Sequence, residues 1–414
     1  MEYGLIGEKL GHSFSKEVHG LIADYDYRLL EIPKNELENF MHSKSFRGIN
    51  VTIPYKEAVI PFVDEISEEA RKIGAVNTIV NRNGRLFGYN TDYMGALGLI
   101  RHADIEMKGK KVLILGSGGT CKTLSAVVRD LGAQSLIKVS RKASADAISY
   151  DMLNLHYDAE VIINTTPVGM FPKNSDCPID IECFPKLEGV VDVIYNPLDT
   201  VLIRQAKEKG IKASGGLYML VAQAVYASEL FLGVDEHDEE RIQRIFRKIS
   251  ADKENIVLIG MPSSGKSSVG SFLGKLLNRA VFDSDEEVVG SSGKSIKEIF
   301  ESEGESAFRM REKSAIAALS QKSGCIIATG GGAVLDAENV MRLKQNGRLF
   351  FLDRSLEKLE ATGDRPLSDD HQKLKRLYEY RRPIYLAAAD FTVCGDGSVE
   401  ETAVRISETF NCSV

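Results

Sequence analysis

Two glycine-rich turns, each directly after a short apolar strand pattern, are the strongest chemical signals in the sequence. The first turn follows the pattern Lys111–Leu115 and reads Gly116-Ser-Gly118-Gly119-Thr-Cys121. Its spacing suits a dinucleotide, because the glycines allow a tight turn and a close approach of pyrophosphate to backbone N–H groups, and a small third residue lets the helix pack on the strand. An ordinary glycine-rich turn is the alternative. The preceding strand favours a dinucleotide site.

The residues at the end of the next strand indicate which dinucleotide binds. They are Ser140, Arg141 and Lys142, with no carboxylate among them. NAD sites place an acid at this position for the ribose 2′-hydroxyl, whereas two cations suit a 2′-phosphate. The pattern therefore favours NADP(H), with a solvated basic loop as the alternative.

The second turn is a complete GxxxxGK[ST] phosphate loop after the strand pattern Ile256–Ile259. It consists of Gly260, Met261, Pro262, Ser263, Ser264, Gly265, Lys266 and Ser267, and Ser268 begins the helical pattern that follows. Such a loop wraps phosphates with its N–H groups, its lysine reaches the β and γ oxygens, and its serine hydroxyl ligates Mg²⁺. We therefore predict binding of a nucleoside triphosphate with Mg²⁺.

Polar clusters upstream of both turns follow apolar segments, where a parallel sheet gathers ligand groups. They are Ser13-Phe-Ser15, Asn50-Val-Thr52-Ile-Pro-Tyr-Lys56, Gly74-Ala-Val-Asn77-Thr78 and Gly88-Tyr-Asn90-Thr91-Asp92. Each cluster taken singly is more simply a capping loop.

Strand and helix patterns alternate along the chain, which predicts an α/β fold with parallel sheets. Besides the strands before the two turns, strand patterns occupy Tyr3–Ile6, Ile49–Ile53, Thr78–Val80, Leu136–Ser140, Val161–Asn164 and Val190–Val193. The charge-dense segment Asp235–Glu254 reads as a surface helix and a short connector, so we place a domain boundary near Ala251.

Composition narrows the function classes. The chain has 414 residues, of which 43% are hydrophobic and 27% charged, and a net charge of −7. These values predict two or three folded domains rather than disorder. The absence of a basic tract argues against a nucleic-acid partner, and no apolar stretch is long enough for a bilayer or ordered like a signal peptide. Six dispersed cysteines without a CxxC pair predict reduced thiols in the cytoplasm.

Residues 1 to about 248 resemble shikimate dehydrogenases along nearly their whole length. The four upstream clusters carry the resemblance together with the later segments Asn164-Thr-Thr-Pro-Val-Gly-Met170, Asp192-Val-Ile-Tyr-Asn-Pro197 and Gly216-Leu-Tyr-Met-Leu-Val-Ala-Gln223. The resemblance implies reversible hydride transfer between NADPH and 3-dehydroshikimate. It also implies a two-lobed enzyme, with an α/β substrate lobe formed by residues 1–95 and 213–250 and a Rossmann lobe formed by residues 96–212.

The same resemblance assigns roles by position. Ser13 and Ser15 would hold the substrate carboxylate, and Lys56 and Asp92 would form the catalytic pair at the carbonyl. An ammonium beside a carboxylate can supply the proton that ketone reduction needs, and a surface ion pair is the alternative for these two residues. The substrate hydroxyls would be bound by Thr52, Asn77, Asn90 and Gln223. The dinucleotide would be bound by Gly116, Gly118, Gly119, Ser140, Arg141, Lys142, Met170 and Gly216. Phe14 and Lys16 around the two serines, and Ser140 before the arginine, depart from the usual family pattern, which leaves the pocket shape and the strength of the NADP preference open. The two serine hydroxyls fit the shikimate-type pattern better than that of quinate-preferring relatives, and a side activity on quinate remains open.

Residues 255–414 resemble shikimate kinases. Beyond the phosphate loop, the resemblance is carried by Phe282-Asp283-Ser-Asp285, Phe308-Arg309, Gly330-Gly331-Gly332, Arg365-Pro366-Leu367 and Arg381. It implies a small parallel sheet and transfer of the γ-phosphoryl group of ATP to the 3-hydroxyl of shikimate. The segment Leu359–Asp364 before Arg365 is shortened relative to the usual family lid and lacks its further arginine.

This resemblance also assigns roles by position. Asp285 would act as the base, with Lys266 as the second catalytic group. Arg309 and Arg381 would bind the substrate carboxylate, with Gly331 and Gly332 beside its ring. Asp283 would join Ser267 in the Mg²⁺ shell, and Arg365 would contact the ATP phosphates together with Gly260, Ser263, Ser264, Gly265, Lys266, Ser267 and Ser268.

The two implied activities are consecutive, because the product of the first is the substrate of the second. We therefore expect a bifunctional enzyme of aromatic amino-acid (chorismate) biosynthesis, with small-molecule partners and a monomeric or homodimeric state. Two alternatives remain. One is a regulatory sensor built from inactive modules, although Lys56, Asp92, Lys266, Ser267 and Asp285 are all present. The other is a kinase that acts on a different small polyol.

Overall fold

A computed structural model describes residues 2–10, 14–234, 238–360 and 371–412. The strands are β1 Tyr3–Gly7, β2 Tyr27–Glu31, β3 Gly48–Val51, β4 Glu65–Ile66, β5 Thr78–Arg82, β6 Arg85–Tyr89, β7 Lys111–Leu115, β8 Ser135–Ser140, β9 Ile148–Ser149, β10 Val161–Asn164, β11 Gly189–Asp192, β12 Lys212–Ser214, β13 Asn255–Ile259, β14 Val281–Asp283, β15 Ile326–Ala328, β16 Gly347–Asp353 and β17 Phe391–Cys394. The strands predicted from the sequence are confirmed, with ends that differ by at most two residues.

The helices follow the strands closely along the chain. They are α1 Ser15–Ile22, α2 Leu37–Ser43, α3 Glu68–Ile73, α4 Thr91–His102, α5 Gly119–Asp130, α6 Val201–Glu208, α7 Leu217–Leu232, α8 Glu239–Lys253, α9 Lys266–Leu277, α10 Ser284–Ser292, α11 Ile296–Leu319 (kinked at Gly304), α12 Ala337–Lys344, α13 His371–Ala388 and α14 Val399–Cys412. None of the helices within the described ranges is long and apolar enough to cross a membrane.

The chain divides into two units. One comprises Met1–Asn196 and Thr200–Ile249, and the other comprises Pro197–Asp199 and Ser250–Val414. The helix α8 contains the position where the first unit ends and the second begins.

The first sheet of the first unit has the strand order β2-β1-β3-β5-β6-β4. Strand β1 pairs in parallel with β2 and β3, but β5 runs antiparallel to both β3 and β6. This sheet is therefore mixed, with antiparallel pairs that the prediction of parallel sheets did not include. Asn83 and Gly84 between β5 and β6 both have positive φ, the conformation of a two-residue hairpin turn, which reverses the chain locally.

The second sheet of the first unit is parallel throughout, in the order β12-β11-β10-β7-β8-β9. Strands β10 and β11 are completely buried, as expected for strands covered on both faces. The first glycine-rich turn joins the carboxyl end of the central strand β7 to α5. This is the usual ligand-binding edge of such a sheet.

The sheet of the second unit is also parallel, in the order β14-β15-β13-β16-β17. One apolar cluster, which includes Ile259, Ile316 and Tyr385, packs on one face, and another, which includes Leu273, Phe350 and Ile406, packs on the other. The phosphate loop follows the buried strand β13 and leads into α9. The rigid sheet thus fixes the position from which the loop projects.

Candidate active sites

A cavity of about 580 Å³ lies in the first unit. Its walls come from the ends of strands β1, β3 and β11 and from the start of α7. The lining residues are Leu5, Lys9, Leu10, Ser15, Asn50, Val51, Thr52, Ile53, Lys56, Asn77, Asp92, Thr120, Met170, Val193, Tyr195, Gly216, Met219, Leu220 and Gln223. Eight residues that the sequence analysis selected from distant segments therefore line one cavity, namely Ser15, Thr52, Lys56, Asn77, Asp92, Met170, Gly216 and Gln223.

Lys56 and Asp92 form a close ion pair in this cavity. The Lys56 Nζ donates to Asp92 Oδ2 at 2.6 Å, and the two side chains are 23% and 16% exposed. Asp92 lies in the first turn of α4, where the helix dipole favours a carboxylate. The pair is thus held mostly away from water yet opens on the cavity, as a proton donor for a bound carbonyl requires.

Buried amides and hydroxyls surround the pair. Asn77 Oδ1 accepts from the Thr91 backbone N–H at 2.7 Å, and its Nδ2 donates to Thr91 Oγ1 at 3.1 Å. Asn50 Oδ1 accepts from the Tyr27 hydroxyl at 2.7 Å, and its Nδ2 donates to Thr78 Oγ1 at 3.0 Å. These contacts fix both amides before any substrate arrives.

Asn90 does not line this cavity. Its Nδ2 donates to the Ala75 carbonyl at 2.9 Å, and the residue lines a separate cavity of about 200 Å³. Among the described residues its Oδ1 has no hydrogen-bond partner. Conversely, Asn50 and Tyr195 line the main cavity although the sequence analysis gave them no role. Asn50 begins the polar cluster that ends at Lys56 and carries part of the family resemblance, and this was the available signal.

The geometry of the first glycine-rich turn fits a dinucleotide. Gly116 has φ +118°, and a Cβ at this position would overlap the Thr165 side chain. Gly118 caps α5 and Gly119 begins it, and neither meets a neighbouring atom within 4 Å of a Cβ position, so their backbone faces open space. This cradle suits a pyrophosphate at the helix N-terminus.

The remaining cofactor candidates divide into two groups. Met170 and Gly216 line the cavity together with Thr120 of α5. Ser140 lies at the end of β8 and donates through its hydroxyl to the Lys142 carbonyl, whereas Arg141 and Lys142 are exposed. The two cations are therefore accessible to an anionic group, outside the lining of the cavity.

Asp192, at the end of β11, is completely buried, and its hydrogen-bond partners among the described residues are uncharged groups. It accepts hydrogen bonds from Asn164 Nδ2 at 3.1 Å, from Thr200 Oγ1 at 2.8 Å and from the Ile194 N–H at 3.0 Å. Burial raises the pKa of Asp192 to about 6, and the hydrogen bonds limit the rise. The network ties the ends of β10 and β11 to the start of α6.

Two adjoining cavities occupy the second unit. The larger has a volume of about 570 Å³, and the smaller, at the phosphate loop, about 270 Å³. The smaller is lined by Ser263, Gly265, Lys266, Ser267, Ser268, Asp283, Asp285, Thr329 and Gly331. Ser267, Asp283, Asp285 and Gly331 also line the larger cavity. A phosphate chain and a second small molecule would therefore meet at one shared wall.

The lysine of the phosphate loop stabilises the loop through hydrogen bonds to its backbone. Lys266 is buried, and its Nζ donates to the carbonyls of Gly260 at 3.0 Å and Met261 at 2.8 Å. Ser267 Oγ donates to Asp283 Oδ2 at 2.7 Å. Both oxygens lie on the cavity wall and are of the kind that Mg²⁺ prefers as ligands, so the pair fits this ion. A bound Mg²⁺ would neutralise charge on the triphosphate.

The larger cavity combines cations with carboxylates. Arg309 Nη1 donates to Glu312 Oε2 at 2.6 Å and its Nη2 to Glu305 Oε1 at 3.0 Å. Arg381 Nη1 donates to the Gly331 carbonyl at 3.0 Å. A Cβ on Gly332 would overlap the Arg309 guanidinium, so glycine is needed for this close approach.

Glu312 is a charged site residue that the sequence analysis missed. Its side chain is 2% exposed and its Oε1 has no hydrogen-bond partner in the part of the chain that the structure describes. Burial raises the pKa of Glu312, and the Arg309 guanidinium opposes the rise. The i, i+3 spacing from Arg309 was the available signal, since side chains three residues apart meet on a helix. Ser295, Lys297 and Phe300 also line this cavity without having been predicted.

Two of the predicted site residues, Ser13 and Arg365, lie outside the described residues. Of the other predicted residues in the second unit, Arg309, Gly331, Gly332, Arg381, Asp283 and Asp285 line the larger cavity. Gly260 and Ser264 belong to the phosphate loop but do not line the smaller cavity.

The folds and sites define a chain of two enzyme modules, a Rossmann-type dinucleotide oxidoreductase followed by a P-loop phosphotransferase. Comparisons with known proteins give the particular families. Residues 5–79 match the family model for the shikimate dehydrogenase substrate binding domain, and residues 262–411 match the model for shikimate kinase. The NADP(+) shikimate dehydrogenase of Clostridium perfringens strain SM101 is 38% identical over 260 residues, which are 58% of this chain and 96% of the relative. The chain belongs to the shikimate dehydrogenase family and carries a shikimate kinase domain in its C-terminal part.

Solved structures agree with this assignment. A chorismate mutase/shikimate 5-dehydrogenase fusion protein from Clostridium acetobutylicum has 41% identity and a TM-score of 0.57, with 60% of this chain and 96% of that one covered. Shikimate 5-dehydrogenase from Thermus thermophilus, in complex with NADP(H) and shikimate, has 31% identity and a TM-score of 0.54, with 60% and 99% covered.

Proposed function

We propose that this chain reduces 3-dehydroshikimate to shikimate with NADPH and then phosphorylates shikimate with ATP to give shikimate 3-phosphate. The single observation that carries the proposal is that one chain presents both a desolvated Lys–Asp pair beside a dinucleotide turn and an arginine-lined cavity that shares a wall with a phosphate loop. The family assignments of the two parts supply the substrates. Small molecules are therefore the expected partners.

In the reduction, NADPH supplies the hydride. Lys56 lies on the cavity wall and donates a proton to the oxygen of the carbonyl as negative charge develops there. Asp92 holds the ammonium in place through the 2.6 Å hydrogen bond and balances its charge. Ser15, Thr52, Asn77 and Gln223 bind the carboxylate and hydroxyls, and Asn77 is already oriented by Thr91.

In the phosphorylation, ATP supplies the γ-phosphoryl group. Asp285 lies on the shared wall and accepts the proton of the attacking hydroxyl, while Arg309 and Arg381 bind the substrate carboxylate. Lys266 balances charge on the transferred group, and Ser267 and Asp283 hold Mg²⁺. Positioning and electrostatics carry most of this rate enhancement.

The proposal includes the domain bounds. Residues 1–95 and 213–250 form the substrate lobe, residues 96–212 the dinucleotide lobe, and residues 255–414 the kinase. We further propose a cytoplasmic location, since all six cysteines lie in described segments and are free thiols. We also propose that the protein is a monomer or a homodimer and that it binds neither nucleic acid nor membranes.

Separate steady-state assays of two variants test the proposal. Lys56→Ala should lower kcat for NADPH-dependent reduction by about 10²-fold or more and leave phosphorylation unchanged, because general acid catalysis typically contributes 10²–10⁴-fold. Asp285→Asn should lower kcat for phosphorylation by a similar factor and leave NADPH-dependent reduction unchanged. Matched controls are Lys72→Ala on α3 and Glu287→Gln on α10, both exposed and outside the cavities.

The outcomes also separate the alternatives. A folded wild-type chain that catalyses neither reaction would contradict the proposal and favour the regulatory sensor, which the comparisons do not support. Phosphorylation of quinate or gluconate in preference to shikimate would identify a different polyol as the acceptor.

A further inference from the structure

We propose that Arg354 is an additional phosphate contact for the nucleotide at the phosphate loop, an inference that rests on the ATP-dependent activity proposed above. Arg354 directly follows β16, and β16 pairs in parallel with β13, the strand that leads into the loop. The register pairs Leu258 with Phe350 and Ile259 with Phe351. Since parallel strands end at the same edge of the sheet, Arg354 leaves its strand beside the loop.

The guanidinium lies against the loop itself. Arg354 Nη1 is 3.6 Å from the position of a Cβ built on Gly265, and Gly265 lines the smaller cavity. The stem is fixed from the other side, because Arg354 Cβ is 3.4 Å from the corresponding position on Gly395, after β17. The cation is therefore placed between two loops at the edge of the nucleotide cavity.

The neighbouring acids have other partners. Asp353 accepts from Arg382 at 2.6 Å and 3.1 Å, and Asp396 accepts from the Ser355 N–H at 2.8 Å and its hydroxyl at 3.1 Å. Among the described residues, Arg354 attracts Asp396 electrostatically without a hydrogen bond to it. Its Nε is buried and has no hydrogen-bond partner among the described residues. A partly desolvated guanidinium gains most from an anion with several acceptor oxygens, which a phosphate provides.

The sequence after Arg354 increases its importance. Between Lys358 and Arg365 it reads Leu-Glu-Ala-Thr-Gly-Asp, without a lysine or arginine. Lys358 itself donates to the Asp396 carbonyl at 2.9 Å. Arg354 is thus the cation of this strand–loop segment that faces the phosphate loop in the described structure, and it supplies positive charge that the shortened segment lacks.

Calorimetric titration of the full chain with two probes tests the inference. The probes are Mg²⁺–ADP and inorganic tripolyphosphate, which has the phosphates without the base. Arg354→Met should weaken binding of both by about tenfold or more, the usual effect of losing a charge-assisted hydrogen bond. Arg354→Lys should recover part of the affinity. The matched control is Arg348→Met, which removes an arginine at the opposite end of β16 that pairs with Glu254, and should change the affinity less than twofold.

Three results would overturn the inference. The first is an unchanged affinity of Arg354→Met for ADP. The second is weaker binding of ADP with unchanged binding of tripolyphosphate, which would indicate contact with the base or ribose. The third is an Asp396→Asn variant that binds both probes as weakly as Arg354→Met does, when both variants also unfold at a lower temperature than the wild type without ligand. This result would indicate a structural role of Arg354 through the β17–α14 loop. A wild-type chain that binds no ADP would instead contradict the proposed function.

Discussion

At the residue scale, each proposed reaction depends on a charged pair that only partly neutralises itself. Within the described ranges, Lys56 has one close carboxylate partner, Asp92, and Arg309 has two, the buried Glu312 and the exposed Glu305. A partner of this kind fixes a cation in position while leaving donors for a substrate. Because Glu312 is buried and Glu305 is exposed, the contribution of each carboxylate to the position of Arg309 can be measured separately.

Glu312→Gln should raise the KM for shikimate in the kinase reaction several-fold, with a smaller change in kcat. A charged hydrogen bond holds Arg309 roughly twice as strongly as a neutral one, and the low dielectric around Glu312 increases the difference. The matched control is Glu305→Gln, whose carboxylate is 49% exposed and should matter less than twofold. Equal effects of the two variants on KM would show that Arg309 is not positioned by its buried partner.

At the scale of elements, the carboxyl ends of parallel strands bring most of the proposed groups together. The dinucleotide turn follows β7, Asp192 ends β11 and the phosphate loop follows β13. Asp192 is buried, and its hydrogen-bond partners in the described part of the chain are uncharged, so its ionisation costs folding free energy. The junction of β10, β11 and α6 should therefore respond to pH.

The folded-state pKa of Asp192, about 6, exceeds its ordinary value of 3.8, so the folded chain holds this proton more tightly than the unfolded chain. Stability from this group is present below pH 3.8 and is lost as the pH rises through about 6, by up to about 3 kcal/mol for a shift of about two units. The unfolding temperature of the wild type, relative to Asp192→Asn, should therefore fall between pH 4.5 and pH 7.

Asp146 gives the control for this experiment. Lys138 and Ser144 lower its pKa through hydrogen bonds, so its contribution is complete above pH 3.8. The unfolding temperature of the wild type relative to Asp146→Asn should stay constant over the same range. A constant difference for Asp192→Asn as well would show that Asp192 does not titrate in this window.

At the scale of the whole molecule, the chain forms two units with separate apolar cores, and the two proposed active sites lie in different units. Under the proposed function, each ligand is therefore expected to contact groups of one unit. Linkage then predicts that a ligand stabilises the unit that binds it.

Thermal unfolding followed by calorimetry should show two transitions. NADP⁺ should raise the midpoint of one, and Mg²⁺–ADP that of the other, by an amount that grows with ligand concentration. Lys266→Met should abolish the shift with Mg²⁺–ADP and leave the shift with NADP⁺ unchanged. A single transition raised by either ligand would show that the units unfold together.

The sequence by itself determined the strands around both glycine-rich turns, because a buried parallel strand must be continuously apolar and a phosphate must meet glycine backbone. The same reasoning identified Lys266 and Ser267, whose roles follow from local spacing. It overlooked the reversal of β5 and β6, although Asn83-Gly84 is the residue pair that favours a hairpin turn.

Only the tertiary structure decided which polar residues face a common cavity. It brought Lys56 and Asp92 to 2.6 Å, placed Asn90 on a different cavity, and buried Glu312 beside Arg309. It also set Arg354 against Gly265, 89 positions away. Contacts of this kind depend on how strands are ordered within a sheet and how helices cover it, and this order is set by packing over the whole unit rather than by local spacing.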